Sequence, residues 1–160
     1  MHPERKQNRL ADYDYSQPGA YFITVCTKDR KCILSTVVGG DAHIAPYTKL
    51  TTIGMVAEKY LKTIPGVDQY VIMPNHVHMI LWISAENFVK GPMWASAPTK
   101  SNIAQLVRSW KILVTKEIGQ ALWQRSYYDH IIRDEQDYLI KAQYIADNPA
   151  KWQEDDYFCI

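Results

Sequence analysis

His76 and His78 stand two residues apart in the run Met73-Pro74-Asn75-His76-Val77-His78. On a β-strand, residues i and i+2 point to the same face, so both imidazoles would lie side by side with Val77 turned away. Two neutral imidazoles placed this way can chelate one divalent ion, and near pH 7 an ordinary histidine is largely neutral. The pair opens an apolar stretch ending at Ile83, where two polar rings need partners. A histidine pair on an exposed sheet face would give the same spacing without an ion, so the pair alone leaves both readings open.

Tyr144 and Asn148 are four residues apart near the other end of the chain. On a helix they share a face, and Lys141 and Asp137 fall on the same stripe. The apolar stripe is a different one, formed by Tyr138, Ala142 and Ile145, and it should pack on the sheet. A tyrosine hydroxyl is a poor nucleophile at its usual pKa of about 10. A divalent cation or an ammonium beside it favours the phenolate. Asn148 can give the same ion a neutral oxygen ligand one turn away. Two imidazoles and one amide oxygen, with positions left open, suit an ion that also holds a phosphate oxygen. Against this, Tyr144 is one of 11 tyrosines, and Asn148 before Pro149 is also an ordinary helix end.

Elements that would position these residues can be read from pattern. Tyr21–Thr27 is β-branched and aromatic, a strand. Ile33–Val38 and Ala42–Ile44 flank Gly39-Gly40-Asp41 and read as a hairpin. Apolar residues at helical spacing from Thr48 to Thr63 predict a helix stopped by Pro65-Gly66. Val67–Met73 and His76–Ile83 read as strands paired through Pro74-Asn75. Ser101-Asn102 would cap a second helix to about Ile118, with Ile103, Leu106, Trp110 and Leu113 or Val114 inward. Tyr128–Ile132 is a further strand, and Asp134–Asn148 a last helix ended by Pro149. The order predicts an α+β domain: a ferredoxin-like antiparallel sheet with helices packed on one face.

Apolar residues are 47% and charged residues 22% of 160, which excludes a disordered chain and fits one domain over 1–160. The net charge of +1 announces no overall basicity, so nucleic acid would be held by local patches such as Arg5, Lys6 and Arg9. Cys26, Cys32 and Cys159 show no metal or disulfide spacing, which suits a reducing cytoplasm. No signal peptide or spanning segment is evident, so a soluble cytoplasmic protein with no membrane partner is expected.

Taken in order, several segments carry a resemblance. They are Arg9-Leu10 with Tyr13-Asp14-Tyr15, Pro18-Gly19-Ala20-Tyr21-Phe22, Met73 to His78, Trp123 to Arg133, and Tyr144 to Pro149. The chain resembles the single-tyrosine HUH transposases, and among them the REP-associated tyrosine transposase branch. That resemblance implies a ferredoxin-like fold and cleavage of single-stranded DNA at hairpin elements with a divalent ion, Mg2+ or Mn2+. It implies that His76 and His78 are metal ligands, Tyr144 the nucleophile that forms a 5′-phosphotyrosine, and Asn148 the third ligand. Mobile-element relatives often have Gln where Asn148 stands; Asn is one methylene shorter, so its helix must lie closer or a water must bridge. Lys141 is expected to lower the Tyr144 pKa or contact the phosphate. Arg5, Arg9, Arg108, Lys111, Arg125 and Arg133 are candidate DNA contacts, and Trp94 could stack on a base. A monomer or a homodimer is compatible, with Tyr144 serving its own or a partner's metal. Two rivals stand beside this reading: a non-catalytic module binding single-stranded or hairpin nucleic acid, and a hydrolase using the histidines to activate water.

Overall fold

The structure, a computed structural model, describes residue 13 and residues 17–84 and 102–159. The chain runs β1 (Gly19–Cys26), β2 (Ser35–Val38), β3 (Tyr47–Leu50), α1 (Thr52–Leu61), β4 (Val67–Ile72), β5 (His76–Ile83), α2 (Asn102–Ile118), β6 (Tyr128–Ile132) and α3 (Glu135–Asp147). Four strands form an antiparallel sheet in the order β4-β5-β1-β6, and β2 and β3 form a separate hairpin. Leaving that hairpin aside, the β1-α1-β4-β5-α2-β6 succession in this strand order is the ferredoxin-like arrangement of an α+β domain.

Strand alternation divides the sheet into two faces. Tyr21, Ile23 and Val25 of β1 and Val77, Met79 and Leu81 of β5 pack under α1 and α2, around Ala57, Leu61, Ile103, Val107, Trp110 and Val114. The indole of Trp110 ties the two helices together by donating to the Ala57 carbonyl at 3.0 Å. Ala20, Phe22 and Ile80 face the other way and meet Ile145 of α3 and Trp152. The helices therefore do not all share one face. The ferredoxin-like pair lies together, and α3 covers the opposite side, because the residues left there by β1 and β5 offer Tyr138, Ala142 and Ile145 a second apolar patch.

Local chemistry also moves two element boundaries. Residues Ala42–Ile44, expected as a strand, lie in a loop. Asp41 Oδ1 accepts the backbone N–H groups of His43 and Ile44 at 2.9 Å, which takes them out of any ladder. Gly39 and Gly40 hold positive φ values of 86° and 91° there. The first helix starts four residues later than expected, since Tyr47–Leu50 pairs with β2 and Thr51 caps α1 by accepting from Gly54 N at 3.1 Å. Gly54 is required: a Cβ there would overlap the Leu34 carbonyl oxygen.

The cysteines need a correction. Cys32 and Cys159 form a disulfide, and Cys26 is free and buried. The pair is 127 residues apart in sequence, so no local spacing announces it. Among the described residues, no helix is long and apolar enough to cross a membrane.

Candidate active site

β5 turns His76 and His78 onto the α3 side of the sheet, opposite the α1–α2 core. Both are buried, and their ring centroids lie 4.5 Å apart. What each imidazole can do follows from its Nδ1 partner. Asn75 Nδ2 donates to the carbonyls of Tyr157 at 2.7 Å and Arg30 at 3.3 Å, which fixes the orientation of its amide. Asn75 Oδ1 therefore faces His76 Nδ1 at 2.9 Å, and an amide oxygen only accepts. The His76 proton must sit on Nδ1, leaving Nε2 as a bare lone pair. For His78, Thr24 Oγ1 lies 2.7 Å from Nδ1 in the register pairing Thr24 with His78 across β1 and β5.

Neither Nε2 has a hydrogen-bond partner, and both are buried. Burial pushes His76 down to about 4 and holds His78 well below the usual histidine range, so both rings are neutral at pH 7. A buried lone pair with nothing to accept is costly unless something electrophilic meets it.

α3 brings the remaining groups. Asp134 caps its N-terminus by accepting from Asp137 N at 2.8 Å, and Ile145 is buried against the sheet. This rotation leaves Tyr144 at the rim, 41% exposed, with its ring edge-on to His78 at 5.2 Å and to Phe22 at 5.9 Å. Asn148 is buried, its Nδ2 donates to Asp155 Oδ2 at 3.1 Å, and its Oδ1 has no partner. Asp155 itself was not anticipated. Its Oδ2 lies 3.9 Å from His76 Nε2, and ligand atoms of His76, His78 and Asp155 all lie within 4.8 Å of one another. Two unpartnered imidazole nitrogens, an unpartnered amide oxygen and a carboxylate are the kind of donor set that a divalent ion takes.

Burial raises the Tyr144 phenol above its usual value; Asp155 adds to this, and the Asn148 amide offsets part of it. Lys141 places its ammonium over the Phe22 ring at 5.1 Å. Tyr157 lies against His76 with ring centroids 4.5 Å apart, its phenol pushed up to about 12 by burial. Sequence reasoning passed over Thr24, Asn75, Asp155 and Tyr157 as site residues. Only Asn75 carried a signal, its place beside His76; the others arrive by long-range pairing or by a stretch after α3 without periodicity.

Comparison with known proteins shows what this chain is similar to. No family model matches the chain. It is 34% identical to an uncharacterised protein of Haemophilus influenzae, covering 96% of this chain and 93% of that one. It is 23% identical to a second protein of that organism, described as a “Putative REP-associated tyrosine transposase”, over 86% of this chain and 74% of the relative. The chain is similar to the REP-associated tyrosine transposases. Its fold matches that of a solved REP-associated tyrosine transposase bound to a REP hairpin, with a TM-score of 0.58, 22% identity, and coverage of 89% of this chain and 73% of that one.

His76, His78, Tyr144 and Asn148 come together within a single chain, whereas the cationic candidates are dispersed. Arg108 is exposed on α2, across the sheet from the histidines. Lys111 donates to the carbonyls of Gln124 at 2.9 Å and Ser126 at 3.0 Å, and burial pushes its ammonium down to about 8. Arg125 and Arg133 are exposed. Arg5, Arg9 and Trp94 lie outside the described residues. His130 pairs with Asp137 at 2.9 Å.

Proposed function

We propose that this chain nicks and rejoins single-stranded DNA at hairpin elements through a covalent bond to Tyr144. The observation that carries this reading is the Tyr144 ring 5.2 Å from His78, beside two buried imidazole nitrogens and an amide oxygen that accept from nothing. His76, His78 and Asn148 would hold a divalent ion, Mg2+ or Mn2+. Such an ion, when bound, polarises a phosphate and offsets the charge that builds up on it.

The chain's own residues then have distinct tasks. Tyr144 attacks the scissile phosphorus in line. The phenol gives up its proton to solvent as the bond from phosphorus to the tyrosine oxygen forms and the bond to the 3′ oxygen breaks, and that oxygen takes up a proton from solvent and leaves as a 3′-hydroxyl. A second 3′-hydroxyl reverses the exchange and completes joining, so phosphodiester energy is conserved and no nucleotide is consumed. Phe22 supports the tyrosine and His78 rings from below. Lys141, at the same rim, contacts the phosphate. Arg125 and Arg133, with Arg5, Arg9 and Arg108, contact the DNA backbone. Lys111 serves by holding the Gln124–Ser126 backbone around Arg125. A cytoplasmic setting follows from DNA as partner, and the Cys32–Cys159 bond would be open to reduction there.

Labelled hairpin DNA incubated with the chain and Mn2+ tests this. A denaturant-resistant protein–DNA adduct is expected with wild type and absent with Tyr144→Phe, while the variant still binds the hairpin. Cleavage that survives Tyr144→Phe would replace this reading with hydrolysis by activated water.

A further inference from the structure

Asp155 lies on the segment after α3, and several contacts press that segment against the site. Trp152 is buried against the sheet, Asn75 Nδ2 holds the Tyr157 carbonyl at 2.7 Å, Arg30 donates to the Asp156 carbonyl at 3.2 Å, and Cys159 is bonded to Cys32. The Asp155 side chain is only 3% exposed. Oδ1 accepts Tyr157 N at 2.8 Å, and Oδ2 accepts Asn148 Nδ2 at 3.1 Å. Among the described residues, no lysine or arginine forms an ion pair with it; its ion-pair contact is His76 Nε2 at 3.9 Å. That nitrogen carries a lone pair, because the Asn75 amide fixes the proton on Nδ1. A buried carboxylate facing a lone pair is electrostatically incomplete, and a cation between them resolves both.

We propose that Asp155 is an anionic ligand of the divalent ion, joining His76, His78 and Asn148. The proposal rests on the reading of the histidine pair as a metal site and extends it. Four protein donors still leave positions open in an octahedral shell for a phosphate oxygen. The carboxylate is a hard donor, so it favours Mg2+ and Mn2+ over softer metals. Asp155 also orients Asn148: by taking the amide N–H2 it turns Oδ1 toward the imidazoles.

The test reads metal binding, separately from DNA cleavage. The full chain, stripped by chelation, is titrated with Mn2+ and free ion is followed by EPR. Wild type is expected to bind one ion and His78→Ala to lose it. Asp155→Asn should raise Kd at least about tenfold while keeping the 14N modulation of two imidazoles at saturation. Asp156→Asn, which removes a neighbouring exposed charge, should stay within about twofold. If Asp155→Asn binds like wild type while His78→Ala does not, Asp155 is no ligand and the histidine site stands. Equal weakening by Asp156→Asn would make the effect one of general charge and overturn ligation. If wild type binds no Mn2+, the metal reading itself fails. Should Asp155→Asn not fold, the wild-type chain labelled with 13C at aspartate side-chain carboxyls answers alone: a resolved 13C hyperfine coupling to bound Mn2+ supports ligation, and its absence refutes it.

Discussion

Replacing Asn75 by alanine would separate stability from site chemistry. Its amide satisfies three groups at once: His76 Nδ1 at 2.9 Å, the Tyr157 carbonyl at 2.7 Å and the Arg30 carbonyl at 3.3 Å. A buried polar group left without a partner costs about 1–3 kcal/mol. The first two contacts are short, and His76 and Asn75 are fully buried; the third is long and counts for little. The metal-free variant should therefore lose about 3–5 kcal/mol, or roughly 6–20 °C in Tm for a domain of this size. Site chemistry should suffer separately. Without Asn75 Oδ1 the His76 ring is free to take the other tautomer or to rotate, and loss of such an orienting partner weakens metal binding about 10–100-fold. Thermal unfolding of the metal-free protein reads the first effect, and Mn2+ titration below the melting range reads the second. If Asn75→Ala folds within about 1 kcal/mol of wild type and binds Mn2+ equally well, the tautomer argument is wrong.

Lys141→Ala should slow hairpin cleavage at least about tenfold at all pH values, since a hydrogen bond to a charged group is worth about 1.5–3 kcal/mol; a wild-type rate would remove Lys141 from the reaction. Gly54→Ala should cost about 2–3 kcal/mol or more, because its methyl meets the rigid Leu34 carbonyl, and an unchanged urea midpoint would contradict that packing. The metal-free protein should also weaken in acid. The folded-state values of His76, about 4, and His78, well below normal, lie under the unfolded value of about 6.5. Between these limits the unfolded chain binds protons that the folded chain refuses, so stability is full above about pH 6.5 and falls as pH drops, by up to about 1.4 kcal/mol per unit for each ring. Urea unfolding at pH 7.5 and pH 5 checks this, and equal midpoints would refute it.

Periodic signals placed several elements closely. β5 and β6 begin and end where the pattern predicts, and α3 is flanked by the expected Asp134 and Asn148. Patterns failed where a side chain competes with the backbone, as at Asp41 and Thr51. They also predicted all helices on one face, whereas α3 takes the other, since an apolar stripe says that a helix packs but not against which face of the sheet. Spacing brought His76 to His78 and Tyr144 to Asn148, because both pairs are local. Thr24 and Asp155 join them only through strand register and chain return, which no local window contains. The Cys32–Cys159 bond escaped for the same reason.

β5 gives two kinds of constraint to alternate residues of one strand. Odd-numbered positions from Val77 to Ile83 answer to the packing of α1 and α2, and His76 and His78 to the buried polar cluster on the α3 side. Substitutions at one set can therefore drift without disturbing the other. An inserted or deleted residue has no such freedom. It would exchange the two sets at a stroke, sending imidazoles into the hydrocarbon interior and valine and methionine toward the side of α3. Lineages of this protein should accordingly vary β5 by substitution while holding its length constant.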